Sequence, residues 1–329
     1  MQDDSDILLA AERWLGEGHR VALATVLSTW GSAPRQAGSM LAIRDDGAFV
    51  GSVSNGCVEG TVIETGLASL EDGKIRKLDF GVDDGMAWSA GLTCGGKIAI
   101  LVEALHDIEI LHALNAARAK ALPMVRAVHI ESGESRLIEP FGDRTPLGAA
   151  AHKAALCNTS RLGDDGWFFA VFQPPVDLVL IGAVHTAQAL TKMAALMEFE
   201  TRIIDPRRSF ITAERFPGVA LFADFPDLVL AKTPLQRHSA VVALAHDPKI
   251  DDPALIAALS SEAFYIGALG SQKTQDARRT RLAAAGFSQA DLARLHGPVG
   301  LTIGSKSPAE IAVSILAEIT KTLRLPDSQ

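Results

Sequence analysis

Two patterns of apolar residues divide the chain. Up to Gln173 the apolar segments are short and of mixed type. Ile7 to Leu15 carries its apolar side chains at helical spacing and predicts a helix. Val21 to Leu27, apolar and partly β-branched, predicts a strand. Met40 to Ile43 and Ala48 to Val53 predict a hairpin about Asp46-Gly47. A helix from Val58 to Leu70, a strand from Lys97 to Val102, a helix from Ile108 to Ala121 and a strand from Met124 to Ile130 complete an α+β first half. Beyond the apolar run Trp167 to Phe172, strands and helices alternate. Leu178 to Ile181, Arg202 to Ile204, Val241 to Ala245 and Phe264 to Ile266 are strand candidates, with a helix running to about Glu198 after the first. Apolar strands alternating with helices imply a doubly wound parallel sheet covered on both faces. Gln173-Pro174-Pro175 reads as the connector, giving domains of 1–173 and 174–329. Helix starts are expected at Asp252-Pro253, with aspartate as cap, and at the capping box Ser307-Pro308-Ala309-Glu310; Gly286 is expected to end the helix before it.

Composition narrows the class. With 48% apolar and 21% charged residues, the 329-residue chain is globular and long enough to bury a core without staples. A formal net charge of -8 argues against general binding of nucleic acid or an anionic membrane. Three cysteines with no CxxC pair exclude a zinc ribbon and a disulfide scaffold. The opening residues lack the basic stretch and apolar block of a signal peptide, and no apolar run approaches the roughly 20 residues of a membrane span. The expectation is a soluble cytoplasmic protein.

The second half carries a strand-to-helix turn, Leu180-Ile181-Gly182-Ala183-Val184-His185-Thr186-Ala187. It follows the Rossmann fingerprint at Gly182 and Ala187, whereas Val184 replaces the middle glycine that lets a pyrophosphate approach the backbone. Asp205, about twenty residues on, stands where a ribose-binding carboxylate belongs, and Arg207 and Arg208 offer a phosphate contact instead. His246 and Asp247 follow one strand; Gly267-Ala268-Leu269-Gly270-Ser271 follows another and opens a helix bearing Lys273, Arg278, Arg279 and Arg281. Free amides at such a helix start suit an anion, and an ordinary turn beside a solvated basic face suits the same residues. Gly182, Asp205, His246, Gly267 and Gly270 are therefore candidate nucleotide-binding residues.

Two loops of the first half are rich in small and polar residues: Gly31-Ser32-Ala33-Pro34-Arg35 and Ser54-Asn55-Gly56-Cys57-Val58-Glu59-Gly60. Arg35 suits bidentate contact with a phosphate or a heterocycle edge, complemented by backbone amides near Gly56. Cys57 falls at a helix start, where the dipole favours a thiolate, although Glu59 in the same turn opposes it. Cys94, in Thr93-Cys94-Gly95-Gly96-Lys97, is flanked by glycines; Cys157 lies in an apolar run and reads as packing.

Taken together, these segments resemble the XdhC/CoxI family of accessory proteins for molybdenum hydroxylases such as xanthine dehydrogenase. The resemblance rests on Thr29-Trp30-Gly31-Ser32-Ala33-Pro34-Arg35, on Gly51-Ser52-Val53 leading to Gly56-Cys57-Val58-Glu59, and on Cys94-Gly95-Gly96. In the second half it rests on Ile204-Asp205-Pro206-Arg207, His246-Asp247-Pro248, Gly267-Ala268-Leu269-Gly270-Ser271 and His296-Gly297-Pro298-Val299-Gly300-Leu301. It implies a family-type N-terminal domain followed by a Rossmann domain. It also implies binding of the molybdenum cofactor, a phosphorylated pyranopterin, for protection, for sulfuration with a cysteine desulfurase, and for insertion into a xanthine dehydrogenase-type enzyme. The protein would then be an accessory factor rather than a catalyst, and a homodimer is compatible with that role. Arg35, Ser54, Asn55, Gly56, Cys57, Glu59, Cys94 and Gly95 become the candidate cofactor-binding residues, with Cys57 and Cys94 as soft contacts to molybdenum. Two positions depart from the family pattern: Asn55 stands for a glycine, and Val184 for the second fingerprint glycine. Other readings are an NAD(P)-dependent oxidoreductase using Asp205, His246 and the Gly267 to Gly270 turn, and a nucleotide-sensing protein that docks a partner.

Overall fold

The computed structural model describes residues 4–31, 35–81 and 96–325. The chain forms two compact units that divide between Pro174 and Pro175.

The first unit contains helix α1 (Asp4–Gly16), strands β1 (Val21–Trp30), β2 (Met40–Arg44) and β3 (Phe49–Gly51), helix α2 (Glu59–Asp72), and strands β4 (Arg76–Phe80) and β5 (Lys97–Leu105). There follow helix α3 (Ile108–Ala119), strands β6 (Met124–His129) and β7 (Ser135–Ile138), helix α4 (Pro146–Leu156), and strands β8 (Arg161–Leu162) and β9 (Trp167–Phe172). They make two antiparallel sheets, ordered β3-β2-β1-β5-β4 and β7-β6-β9-β8. Val21 to Leu27 is apolar except for the buried Thr25 because β1 is central and buried on both faces. Val21, Leu23 and Leu27 pack with α1, α3 and Phe168 and Ala170 of β9. Ala22, Ala24 and Val26 pack on the other side against Val62 of α2. A register shift between Val26 and Ser28 carries β1 on to Trp30, beyond the apolar run. The second sheet joins the first through a buried bidentate pair, Arg126 Nη1 and Nη2 donating to Glu103 at 2.7 and 2.9 Å.

The second unit contains β10 (Asp177–Ile181), α5 (His185–Leu196), β11 (Glu200–Ile204), β12 (Ala220–Phe222), α6 (Pro226–Lys232), β13 (Ser239–Ala243), α7 (Pro248–Leu259) and β14 (Tyr265–Ala268). It closes with α8 (Gln272–Ala284), α9 (Gln289–Ala293), β15 (Leu295–His296) and α10 (Pro308–Arg324). The strands form one parallel sheet ordered β12-β11-β10-β13-β14-β15. Its order reverses beside β10, which creates the switch point of a dinucleotide-type fold. Ala187 and Leu190 of α5 and Ala312, Ile315 and Ile319 of α10 cover one face. Val229 of α6, Ile250, Ala254 and Leu255 of α7, and Leu282 of α8 cover the other. The fold is thus mixed α/β: an antiparallel α+β unit followed by a Rossmann-like doubly wound one.

Three local expectations are corrected. Helix α7 starts at Pro248, with Asp247 accepting from Lys249 N at 2.9 Å, and Pro253 lies inside it. Asp247-Pro248 and Asp252-Pro253 are both cap-proline pairs, and the earlier one nucleates the helix. Strand β13 lies two residues earlier than Val241 to Ala245. Strand β14 runs on to Ala268, so Gly267 sits within a strand rather than in the turn. The capping box at Ser307 forms as expected, with Ser307 Oγ accepting from Glu310 N at 3.2 Å.

Gly182 makes the tight passage from β10 to α5. Its φ is +104°, and a Cβ there would lie 2.8 Å from Ala245 N and 2.9 Å from Ala245 Cα, both backbone atoms. Gly182→Ala is expected to cost the second unit roughly 3 kcal/mol, from backbone strain plus displacement of the segment after β13. Chemical denaturation with a probe in that unit checks this; an unchanged midpoint would mean that the turn relaxes freely.

Candidate functional site

The register of the five-stranded sheet brings the motif-bearing segments of the first unit to one end. Trp30 pairs with Lys97, Thr25 with Met40, and Leu41 with Gly51. The end of β1, the start of β2, the end of β3 and the start of β5 therefore lie together. β1 leads into Gly31 and Arg35, β3 into the loop 52–58, and β5 begins just after Gly96. Cys94 and Gly95 lie outside the described residues. A cavity of about 490 Å3 opens at this end, lined by Ser28, Trp30, Asp79, Phe80 and Lys97 among others. Trp30 is 70% exposed.

The loop 52–58 is organised by one carboxylate. Glu59 Oε1 accepts from Ser52 Oγ at 2.6 Å, Val53 N at 3.1 Å and Ser54 N at 2.8 Å. Its Oε2 accepts from Ser54 Oγ at 2.5 Å and Gly56 N at 2.8 Å. The network continues outward, with Asn55 N donating to Ser52 Oγ and Val58 N to Ser54 Oγ. Asn55 and Gly56 take successive positive φ values of +58° and +103°, a turn that brings the Gly56 amide back to join those of Val53 and Ser54 in an anion nest. The anion in the nest is the protein's own. Burial opposes ionisation of Glu59, but the hydrogen bonds from Ser52 and Ser54 outweigh it and hold the carboxyl at about 2. The Gly56 amide, expected to face a phosphate, thus serves Glu59.

What the loop presents outward is different. A Cβ on Gly56 would meet nothing within 4 Å, so its Cα face is open. Cys57 is half-buried and packs at the margin of the apolar cluster between the sheet and α2. Arg35 is half-buried, and its Nε is enclosed without a hydrogen-bond partner among the described residues. Cys157 sits at the end of α4, away from these segments in the sequence. No cluster of three potential ligands that would hold a metal ion occurs among the described residues.

In the second unit, Asp205 lies at the end of β11 as expected but is fully buried. It accepts from Ala183 N at 2.7 Å and from Arg207 N, Nε and Nη2 at 2.7 to 2.9 Å. Burial opposes its charge, and the Arg207 hydrogen bonds outweigh that and keep its pKa below the ordinary carboxylate range. The aspartate thereby closes the Gly182-Ala183 turn from inside, and Val184 packs against the core under α5. A Cβ on Gly267 would strike Val299 Cγ2 at 2.5 Å, so this glycine is required by packing. Gly270 and His246 do flank a cavity at the carboxyl ends of β13 and β14: His246 lines it, and Gly270 precedes the helix whose first turn lines it.

Sequence reasoning singled out Glu59 and Asp205 as ligand-facing groups but missed their shared role as internal anions. The signal was available for Glu59: hydroxyls at Ser52 and Ser54 and Asn55-Gly56 all precede it within one loop. The sign of its pH dependence follows. Its folded pKa is depressed, so its stabilisation is complete above about pH 4.5 and is lost as pH falls towards about 2. Glu59→Gln should cost on the order of 3 kcal/mol at neutral pH, and the gap from the unsubstituted protein should close across that acid window. Denaturant unfolding at several pH values measures it; a pH-independent gap would contradict the assignment.

The sequence and fold can be set beside known proteins. Residues 14–81 match the model described as XdhC and CoxI family, and residues 178–319 match the XdhC Rossmann domain. The chain is 28% identical over 323 residues to the molybdenum cofactor insertion chaperone PaoD of Escherichia coli, covering 96% of this chain and 88% of that protein. It is 27% identical over 329 residues to a probable xanthine dehydrogenase subunit of Bacillus subtilis, covering 94% of each. The crystal structure of a xanthine dehydrogenase from Bacillus halodurans superposes with a TM-score of 0.67 at 23% identity, covering 96% of this chain and 95% of that one. That likeness is one of fold. With both family domains matched in order along the chain, the protein belongs to the XdhC and CoxI family.

Proposed function

We propose that the protein carries the molybdenum cofactor as cargo and inserts it into a xanthine dehydrogenase-type molybdenum hydroxylase. The observation that carries this reading is the convergence of the family's motif-bearing segments at one end of the five-stranded sheet, around an internally locked loop. The name of the Escherichia coli relative supports the same role.

The residues suit such a cargo. The enclosed Nε of Arg35 is a donor with no acceptor among the described residues, and a guanidinium matches the phosphate or heterocycle edge of a pyranopterin. The open face of Gly56 admits a ligand to the backbone, with Asn55 beside it. Cys57 supplies a soft sulfur at the same place, and Cys94, just before β5, supplies a second in this reading. Ser54 and Glu59 hold the loop in shape rather than touching the cargo. In the finer form of the proposal, a cysteine desulfurase sulfurates the cofactor while it is held. The carrier then acts in the cytoplasm, as a monomer or a homodimer. No helix among the described residues is long and apolar enough to cross a membrane.

Purified protein offered the cofactor under reducing, oxygen-free conditions should retain molybdenum and pterin together and should activate an apo-hydroxylase. Arg35→Ala, Cys57→Ala and Cys94→Ala should each lower retention by about tenfold. Failure of the unsubstituted protein to take up cofactor would end the carrier reading. Full retention and activation by both cysteine variants would remove the thiols from it.

A further inference from the structure

The second unit holds a cavity that the carrier reading does not use. It measures about 300 Å3 and is lined by His246, Asp251, Lys273, Thr274, Arg278 and Arg281 among others. It lies beyond the carboxyl ends of β13 and β14, the side on which sheets of this type bind ligands. The first turns of α7 and α8, helices of 12 and 13 residues, both contribute to its wall through Pro248 and Asp251 and through Lys273 and Thr274. Two helix N-termini therefore turn their positive ends towards one space.

The floor of the cavity holds one unmatched donor. Arg278 is only 2% exposed, yet its Nε has no hydrogen-bond partner among the described residues. Its Nη1 donates to Gln275 Oε1 at 2.6 Å, both Nη atoms reach Leu269 O at 3.3 to 3.4 Å, and Nη2 reaches Asp251 Oδ2 at 3.4 Å. Burial raises the Asp251 carboxyl to about 6 against the pull of Arg278, so it stays largely ionised at neutral pH and offsets the guanidinium's charge, but at 3.4 Å from Nη2 it leaves the Nε donor unmatched. Arg281 is already matched, donating to both oxygens of Asp252. Lys273 stands exposed at the first turn of α8 with no ion pair among the described residues. A buried guanidinium with an unmatched N–H, a free lysine and two helix starts want an anion with several acceptor oxygens.

We propose that this cavity binds the phosphate of a small nucleotide, with Lys273 and Arg278 as its cationic contacts. A volume near 300 Å3 stands at the small end of ligand sites and suits a mononucleotide rather than a dinucleotide. The site belongs to the second unit alone, so it stands or falls independently of cofactor carriage.

Calorimetric titration of the full-length protein with adenosine monophosphate, inorganic phosphate and adenosine tests the assignment. Adenosine monophosphate and phosphate should bind, and adenosine should not. Arg278 is buried and its removal disturbs the fold, so the exposed Lys273 carries the test. Lys273→Glu should weaken adenosine monophosphate by about tenfold. Lys192→Glu, an equal charge change on the exposed side of α5, should leave it unchanged. Absence of binding at millimolar ligand, equal losses in the two variants, or adenosine binding as well as its phosphate would each overturn the proposal.

Discussion

A single carboxylate fixes the shape of the first unit's most unusual loop. Glu59 gathers three backbone amides and two hydroxyls from the seven residues before it, while α2 carries it into the core beside Val58 and Val62. Without that anion, the buried amides of Val53 and Ser54 and the part-buried amide of Gly56 would be left unpaired, a costly state for enclosed donors. The loop is therefore built before any ligand arrives. Its outer surface, the open side of Gly56 and the half-buried Cys57, is held at no ordering cost to binding.

The second unit repeats the device. Asp205 closes the Gly182-Ala183 turn by accepting the Ala183 amide and pairing with Arg207. In a dinucleotide site, comparable groups at the turn and at the end of the second strand face the ligand. Here they face each other, and the valine at position 184 fills apolar space instead of making way for a pyrophosphate. The switch point is thus stabilised internally, while the unmatched positive charge lies farther along the sheet, beyond β13 and β14.

Much of the architecture was legible because buried strands declare themselves. β1, β10 and β13 are apolar on both faces, and their burial leaves no polar alternation to confuse the reading. Edge elements were mostly not legible, β3 in the hairpin about Asp46-Gly47 excepted. β4, Arg76-Lys77-Leu78-Asp79-Phe80, exposes alternate charged residues, and only the pairing with β5 makes it a strand. β7, β12 and the helices α4 and α6 went unread for related reasons: short length, or an alanine-rich pattern without a strong apolar stripe. The family motifs were visible as residues. What Glu59 and Asp205 do was not, because nothing in spacing tells whether a carboxylate near a glycine turn points outward to a ligand or inward to the turn's own amides.

The most direct test of the account is a hydrogen-exchange footprint of the molybdenum cofactor on the full-length protein. The amides of Val53, Ser54, Gly56 and Val58 should be protected before the cofactor is added, because Glu59 and Ser54 already hold them. On binding, protection should deepen in the segment 52–58 and around Arg35. Fast exchange of those amides in the free protein, or a footprint that leaves both segments unchanged while protecting residues elsewhere, would contradict it.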